Sequence, residues 1–484
     1  MDLTALPNPF DFSRPLDVHR WSDHLEADRF VDELYAEYFK GKQSAIERKH
    51  VKVVLLDLYV AWLEHPDLKI AVSMRPSTYR AKGNRYNKLH ISSKTIDVVE
   101  ALAAAGLIDM KKGYYSREWG DGKLTRIWPA EPLVALFKKA DLNAYSVGTF
   151  EDKEVIILKD DEDNQISFKD TPAIRKMRDV VQAYNGLLAR SFIDVRRLDD
   201  PWIELKDGSK LTIGPHRQRV HRVFNRSDFG NGGRFFGPWW QGCPKAWRKE
   251  IFINDAPTVE QDYSSIHIAL LYAKKGIDYY AGGGGDAYQI AVPDFLQSQP
   301  QTRAYAKRLF LMAINAGTDR KAYGAFRKAM NDDGDPIVGT LKDAQLQVIL
   351  DALRAKHPQI ADGLGSDAGI KLMNQDSQIT EHVIKRFTAL GIPVLTLHDS
   401  YIVAYGDAPR LDGVLTEAYE KLTGFNTIKS ETVGVVMGDE ASWVTDKLPA
   451  EAMTISNGYK QRLIDWMCYK NEIENVGSVA MDEG

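Results

Sequence analysis

The sequence predicts an α+β fold in more than one unit, and three observations carry that expectation. The N-terminal third runs from apolar helical stretches into short strands joined by the turn Gly120-Asp121-Gly122-Lys123. Further on, two acidic residues stand at the ends of strand-like runs: Asp262 after Thr258-Val259, and Asp399 at the tip of a hairpin spanning residues 392–403. Between them lie helices with polar and basic faces. The chain has 484 residues, room for two or three domains and a large core, and its 44% hydrophobic content is that of a globular protein.

Composition excludes several classes. The formal net charge is −4, so the chain as a whole does not advertise nucleic-acid binding and any such surface is local. The two cysteines, Cys243 and Cys468, are far apart and lack metal-ligand spacing, which fits free thiols in a reducing compartment. No apolar run reaches about 18 residues, so no membrane span is expected. Met1-Asp2-Leu3-Thr4 lacks the features of a signal peptide, and a cytoplasmic location is expected.

Taken in order, residues 1–45 read as an extension, irregular around Pro7, Pro9 and Pro15 and then helical. Residues 46–145 read as a small domain. Val53 to Leu63 is almost wholly apolar with one acid, Asp57, inside it, and reads as a largely buried helix stopped by Pro66, a strand being the alternative that periodicity alone leaves open. A second helix over 93–102 ends at Gly106, and Leu107–Met110 and Leu124–Trp128 follow as strands. Helix, helix, hairpin is the layout of a winged helix. From Lys69 to Lys94 there are Arg75, Arg80, Lys82, Arg85 and Lys88 but no Asp or Glu, with Lys111, Lys112, Arg117, Lys123 and Arg126 on the hairpin. Such a face can neutralise phosphates and release counterions. Arg80, Arg85, Lys88, Lys94, Lys111 and Arg126 are therefore the expected DNA-binding residues, and the segment resembles the winged-helix domains of plasmid-type replication initiators.

Residues 146–250 begin with an acidic linker. Thr171-Pro172 then starts a helix through about Leu188, Pro being favoured in a first turn where its missing N–H has no partner. A basic cluster from His216 to Arg226 precedes a Gly/aromatic segment in which Trp239 and Trp240 are expected in the core and Arg234 is free to approach a nucleic-acid backbone. Gln301 to Ala316 is expected as a helix presenting Arg303, Lys307, Leu311 and Asn315 on one face. Arg and Lys on one rigid face can hold a triphosphate. Met373-Asn374-Gln375 opens a further helix toward the Asp399 hairpin.

Together these stretches resemble the family A DNA polymerases and the related single-subunit phage-type RNA polymerases. Asp262-Tyr263-Ser264-Ser265-Ile266-His267 is similar to their first palm motif and Leu397-His398-Asp399-Ser400 to the last. Arg303-Ala304-Tyr305-Ala306-Lys307 is similar to the fingers helix. Gly233-Arg234, with Arg248 beyond it, is similar to the template-primer segment. The resemblance covers roughly residues 170–445 and implies a right hand: a linker and thumb-like region at 146–250, palm at 251–300 and 371–445, fingers at 301–370, and a C-terminal extension at 446–484.

By the same resemblance Asp262 and Asp399, with the Tyr263 carbonyl, hold two Mg²⁺, Mn²⁺ being the alternative ion. Arg303 and Lys307 hold the nucleoside triphosphate, and Lys307 also serves as a catalytic proton donor. His267, Leu311 and Asn315 lie beside the nucleotide. Arg234, Arg248, Gln375 and His398 lie beside a DNA template and its primer or RNA product. Three residues depart from the pattern. Asn315 replaces a Tyr, His267 replaces Glu or Gly, and Ser400 follows the RNA-polymerase form. The expected activity is template-directed nucleotidyl transfer leaning to DNA synthesis, in a replication or primase-like enzyme of a phage, plasmid or integrated element. RNA synthesis by a primase or single-subunit polymerase stays open, as does a non-catalytic replication initiator whose palm is only a scaffold.

Overall fold

The structure, a computed structural model, describes residues 12–40, 44–79, 85–116, 121–282, 285–297, 301–335, 338–434 and 454–482. Arg80, Lys82 and Arg117 of the basic surface lie outside them. The fold mixes helix and sheet throughout, as the α+β expectation requires.

In the N-terminal unit the helix Ala45–Glu64 is capped by Ser44, whose side chain accepts from Glu47 N. An apolar stripe would bury one face; from His50 to Ala61 this helix is buried on every side. Its one internal acid, Asp57, is fully buried and accepts from Arg14 at 2.8 Å and Arg20 at 3.1 Å. Helix Lys94–Ala104 ends where Gly106 takes φ +69°, with Gly106 N bonded to Ala103 O and Leu107 N to Leu102 O. A four-stranded sheet runs in the order Ser13–Pro15, Lys69–Val72, Thr125–Pro129, Ile108–Lys111. The returning strand starts at Thr125, and Asp121–Lys123 pairs instead with Tyr114–Ser116 in a separate ribbon.

Two expected boundaries need correction. Strand Ser13–Pro15 lies in that sheet, and Phe30, Val31 and Leu34 of helix Leu25–Tyr38 share one core with Val54, Leu58, Val99 and Val147. Residues 12–40 are thus part of the N-terminal unit and no extension to it. The helix Asn457–Asp482 likewise docks on the body: Tyr459 and Trp466 pack on Phe192, and Arg462 pairs with buried Asp194 at 2.7 Å.

The larger unit is organised on a six-stranded antiparallel sheet ordered Ile193–Val195, Ile251–Ile253, Ala256–Tyr263, Ser400–Ala404, Val394–Leu397, with Ser430–Gly434 also on Ala256–Tyr263. The end of the Asp262 strand therefore has a neighbour on each edge, which holds it rigidly. Helix Pro172–Ala189, capped by the Thr171 side chain, reaches this sheet through a hydrogen bond from Tyr184 Oη to Val394 O. Helix Gly369–Ala389 starts four residues earlier than Met373, and its inner face carries Leu372, Ile379, Val383 and Phe387. Helices Thr302–Ile314, Asp319–Asp332 and Asp343–Lys356 form a separate helical layer beside it. Trp239 and Trp240 are core residues, as read from the sequence. Among the described residues no helix is long and apolar enough to cross a membrane.

Candidate active site

Strand register brings the two aspartates together. Asp262 pairs across the sheet with Ser400, and Ser400 closes a hairpin on Leu397, leaving His398-Asp399 as a two-residue turn. His398 takes φ +60°, the left-handed conformation such tight turns require, and Tyr263 N donates to Asp399 O at 3.4 Å. Just past the Asp262 strand, Ser265 also has positive φ, and the chain turns at once into helix Ile266–Ala273. Both carboxylates are thereby fixed on backbone that cannot easily shift.

They open on a cavity of about 370 Å³. Tyr263, Ile266 and His267 line it from the Asp262 side; Lys307, Leu311 and Asn315 line it from helix Thr302–Ile314; Arg234, Tyr288 and Met373 complete the wall. Five residues apart in sequence, or more than a hundred, these side chains meet because the helix spacing of 307, 311 and 315 faces the strand ends.

The electrostatics set Asp262 apart. Burial, and then the Asp399 carboxylate, push its pKa up to about 7, although Lys307 pulls the other way. Its Oδ1 is buried and has no hydrogen-bond partner. A half-buried carboxylate beside a second one, with an unsatisfied oxygen, is costly for a fold and is the donor set a cation would relieve. No cluster of three or more His, Cys, Asp or Glu forms a metal-holding group among the described residues. Mg²⁺ needs only one or two carboxylates when substrate phosphates and water complete its shell, so the pair fits such an ion.

On the helical side, Arg303 is ion-paired with Asp286 and keeps half its side chain exposed. Tyr288 lies between helix and strand ends, 5.9 Å from the Arg303 guanidinium and 5.7 Å from Lys307 Nζ. Burial, relieved in part by a Ser265 hydrogen bond, pushes its phenol up to about 12, so it stays neutral.

Behind Arg234 and His267 stands a residue that sequence reading missed. Asp376, 2% exposed, accepts from Arg234 Nε at 3.1 Å and sits 2.9 Å from His267 Nε2. Burial alone would depress the charge on Arg234, but Asp376 more than offsets it and the guanidinium is held firmly charged. The signal was present: Asp376, Ser377 and Thr380 are polar positions on the otherwise apolar inner face of their helix.

Other expected residues fall elsewhere. Arg248 is spent on Glu260 at 3.0 Å, which also takes Ser400 Oγ at 2.8 Å. Neither Gln375 nor His398 lines the cavity; each has a buried polar atom without a partner, and burial lowers the His398 pKa. In the N-terminal unit Arg85 corrects the sequence expectation of a free cation. It pairs with Glu154 at 3.0 Å and Asp170 at 3.2 Å and stacks 3.6 Å over Phe168. Arg126 is 8% exposed and donates to Ser13 Oγ, so it is also no surface cation. Lys94 is exposed but paired with Asp97, while Lys88 and Lys111 are exposed.

No protein-family model matches the chain, and no curated protein matches it in sequence. Among solved structures it is similar to the POL domain of Pol1 from M. smegmatis in complex with DNA primer-template and dNTP. That similarity has 12% identity and a TM-score of 0.31, over 84% of this chain and 80% of that one. Likeness of that degree bears on neither site nor activity.

Proposed function

We propose that the chain is a template-directed nucleotidyltransferase whose catalytic pair is Asp262 and Asp399. The observation that carries this reading is the pair itself: two carboxylates on neighbouring strand ends, one raised to about 7 with an orphaned oxygen, facing Lys307 across a cavity of about 370 Å³. Asp262, Asp399 and the Tyr263 carbonyl would hold two Mg²⁺ or Mn²⁺. When bound, such ions supply Lewis-acid stabilisation of the attacking and leaving oxygens.

The chain's own groups do the rest. Lys307, rigid on its helix, binds phosphate oxygens and is placed to deliver a proton to the leaving group. Arg303 exchanges Asp286 for the triphosphate, and Tyr288 supports both cations. His267, clamped by Asp376, forms the wall expected beside the sugar. Its bulk leans the reading to deoxynucleotides. In this reading helix Thr302–Ile314 is the fingers element and the six-stranded sheet the palm. The N-terminal unit acts as a winged-helix-like DNA-binding domain through Lys88, Lys111 and Lys94.

The test is extension of primed and unprimed single-stranded DNA with four dNTPs or four NTPs. Incorporation of dNTPs in preference to NTPs supports DNA synthesis. Preference for NTPs would move the assignment to RNA synthesis, and no incorporation with either would favour a scaffold that only binds DNA.

A further inference from the structure

A second cavity, sharing no lining residue with the first, has the chemistry of a ligand site. It measures about 250 Å³ and lies where four parts of the chain meet. Tyr145 and Gly148 come from the end of the N-terminal unit, Asn185 and Leu188 from helix Pro172–Ala189, and Tyr469 from the C-terminal helix. His216, Gln218 and Arg219 complete it from one short loop. An ordered water needs only about 10–15 Å³.

Three buried polar atoms without hydrogen-bond partners belong to this one loop: His216 Nε2, Gln218 Oε1 and Arg219 Nε. Their roles can be assigned. Arg20 Nη1 lies 3.5 Å from His216 Nδ1, and a guanidinium only donates, so Nδ1 accepts and the ring proton sits on Nε2. Arg219 Nε also donates; its guanidinium otherwise reaches only the Glu151 carbonyl, at 3.4 Å. Gln218 Oε1 accepts. Among the described residues no carboxylate lines the cavity. The loop thus offers two donors, one of them cationic, and one acceptor.

We propose that this cavity binds a hydrogen-phosphate anion between the N-terminal unit and the body. Asp17 and Glu151 act on Arg219 from outside the lining, and a cationic donor facing a cavity lined by no described carboxylate favours an anion over a neutral ligand. An ionised carboxylate only accepts, and would leave Gln218 Oε1 unmet. Hydrogen phosphate accepts from Arg219 and His216 and donates its remaining O–H to Gln218. Because its walls come from four separate segments, occupancy ties the N-terminal unit to the larger one.

The experiment titrates inorganic phosphate into the full-length protein, with chloride and acetate at matched ionic strength, reading Tm and calorimetric binding. Wild type gives a saturable rise in Tm with phosphate and none with acetate. Arg219→Ala weakens binding at least tenfold, and Arg219→Gln carries the same test if the alanine variant does not fold. Lys307→Ala, at the candidate active site, leaves the response intact. Loss of the response in Lys307→Ala but not in either Arg219 variant places phosphate at the active site and overturns the proposal. An equal response to acetate, or none to phosphate, overturns it as well. None of these outcomes depends on nucleotidyl transfer.

Discussion

The basic stretch of the N-terminal unit and the acidic pair of the larger unit both stand out in sequence as concentrations of one charge, and folding treats them oppositely. From Lys69 to Lys94 the run is free of acids, yet Arg85 finds Glu154 and Asp170, about 70 and 85 residues away, and Lys94 finds Asp97. Arg126 is drawn inside altogether. At the strand ends, Asp262 and Asp399 are brought toward each other, Lys307 offsets the repulsion only in part, and the buried Asp262 Oδ1 has no hydrogen-bond partner. A charge run along the chain is therefore a poor guide to free charge in space, because distant residues answer it. Like charges forced together by sheet register are the stronger signal, since a fold keeps them only at a cost.

Substitutions at six positions sharpen that contrast. The largest effect is expected at Asp376, where one buried carboxylate serves Arg234 and His267. Asp376→Asn leaves a buried guanidinium unpaired and costs about 3 kcal/mol of stability, read by denaturant unfolding. It also changes the kcat/KM ratio for dNTP over NTP, as His267→Gly does, by about tenfold for each 1.4 kcal/mol of lost discrimination. An unfolding midpoint within error of wild type would show that the clamp is absent in solution.

Next comes Lys307→Ala. Loss of one charged hydrogen bond to phosphate is worth about 1.5–3 kcal/mol, so kcat/KM falls roughly 10- to 100-fold with the fold intact. A change confined to stability would remove Lys307 from the nucleotide.

A further effect concerns pH. Asp262 is raised to about 7 from 3.8, so the folded protein binds that proton more tightly than the unfolded chain does. Metal-free stability is then greatest with Asp262 protonated, falls as pH rises from about 4 to 7, and is level above. Asp262→Asn removes that decline, so its Tm advantage over wild type grows with pH and is greatest above 7. Added Mg²⁺ raises the wild-type Tm at pH 8 and leaves the variant unmoved.

The smallest effects separate the basic residues. Lys111→Ala weakens duplex binding modestly and lowers the slope of log K against log salt by about 0.9, one phosphate's share. Arg85→Ala destabilises the linker contact to Glu154 but leaves that slope unchanged. Equal effects of the two on the slope would erase the distinction between free and paired charge drawn here.

Much of this site was legible in sequence because it is local. Asp262 and Asp399 each sit where a β-branched run meets a turn, and Lys307, Leu311 and Asn315 follow helical spacing. The cavity gathers eight residues named from sequence: Asp262, Asp399, Tyr263, His267, Lys307, Leu311, Asn315 and Arg234. Asp376 was not legible as a partner, because its contact with Arg234 spans 142 residues and only the fold makes it. The boundary near residue 45 failed for a similar reason: strand Ser13–Pro15 joins the N-terminal sheet by parallel pairing with Lys69–Val72, which leaves no local pattern. Arg85 misled because its counterions lie beyond the segment that looked acid-free.

The central claim, that Asp262 and Asp399 act together in nucleotidyl transfer, meets its most direct test in single-nucleotide incorporation on a primed template. Wild type, Asp262→Asn and Asp399→Asn are compared at saturating Mg²⁺, with DNA binding measured alongside. The pair predicts incorporation lowered by roughly 10²- to 10³-fold or more in each variant, matching the several kcal/mol that metal stabilisation supplies, with DNA affinity retained. Incorporation by either variant within a few-fold of wild type would contradict it.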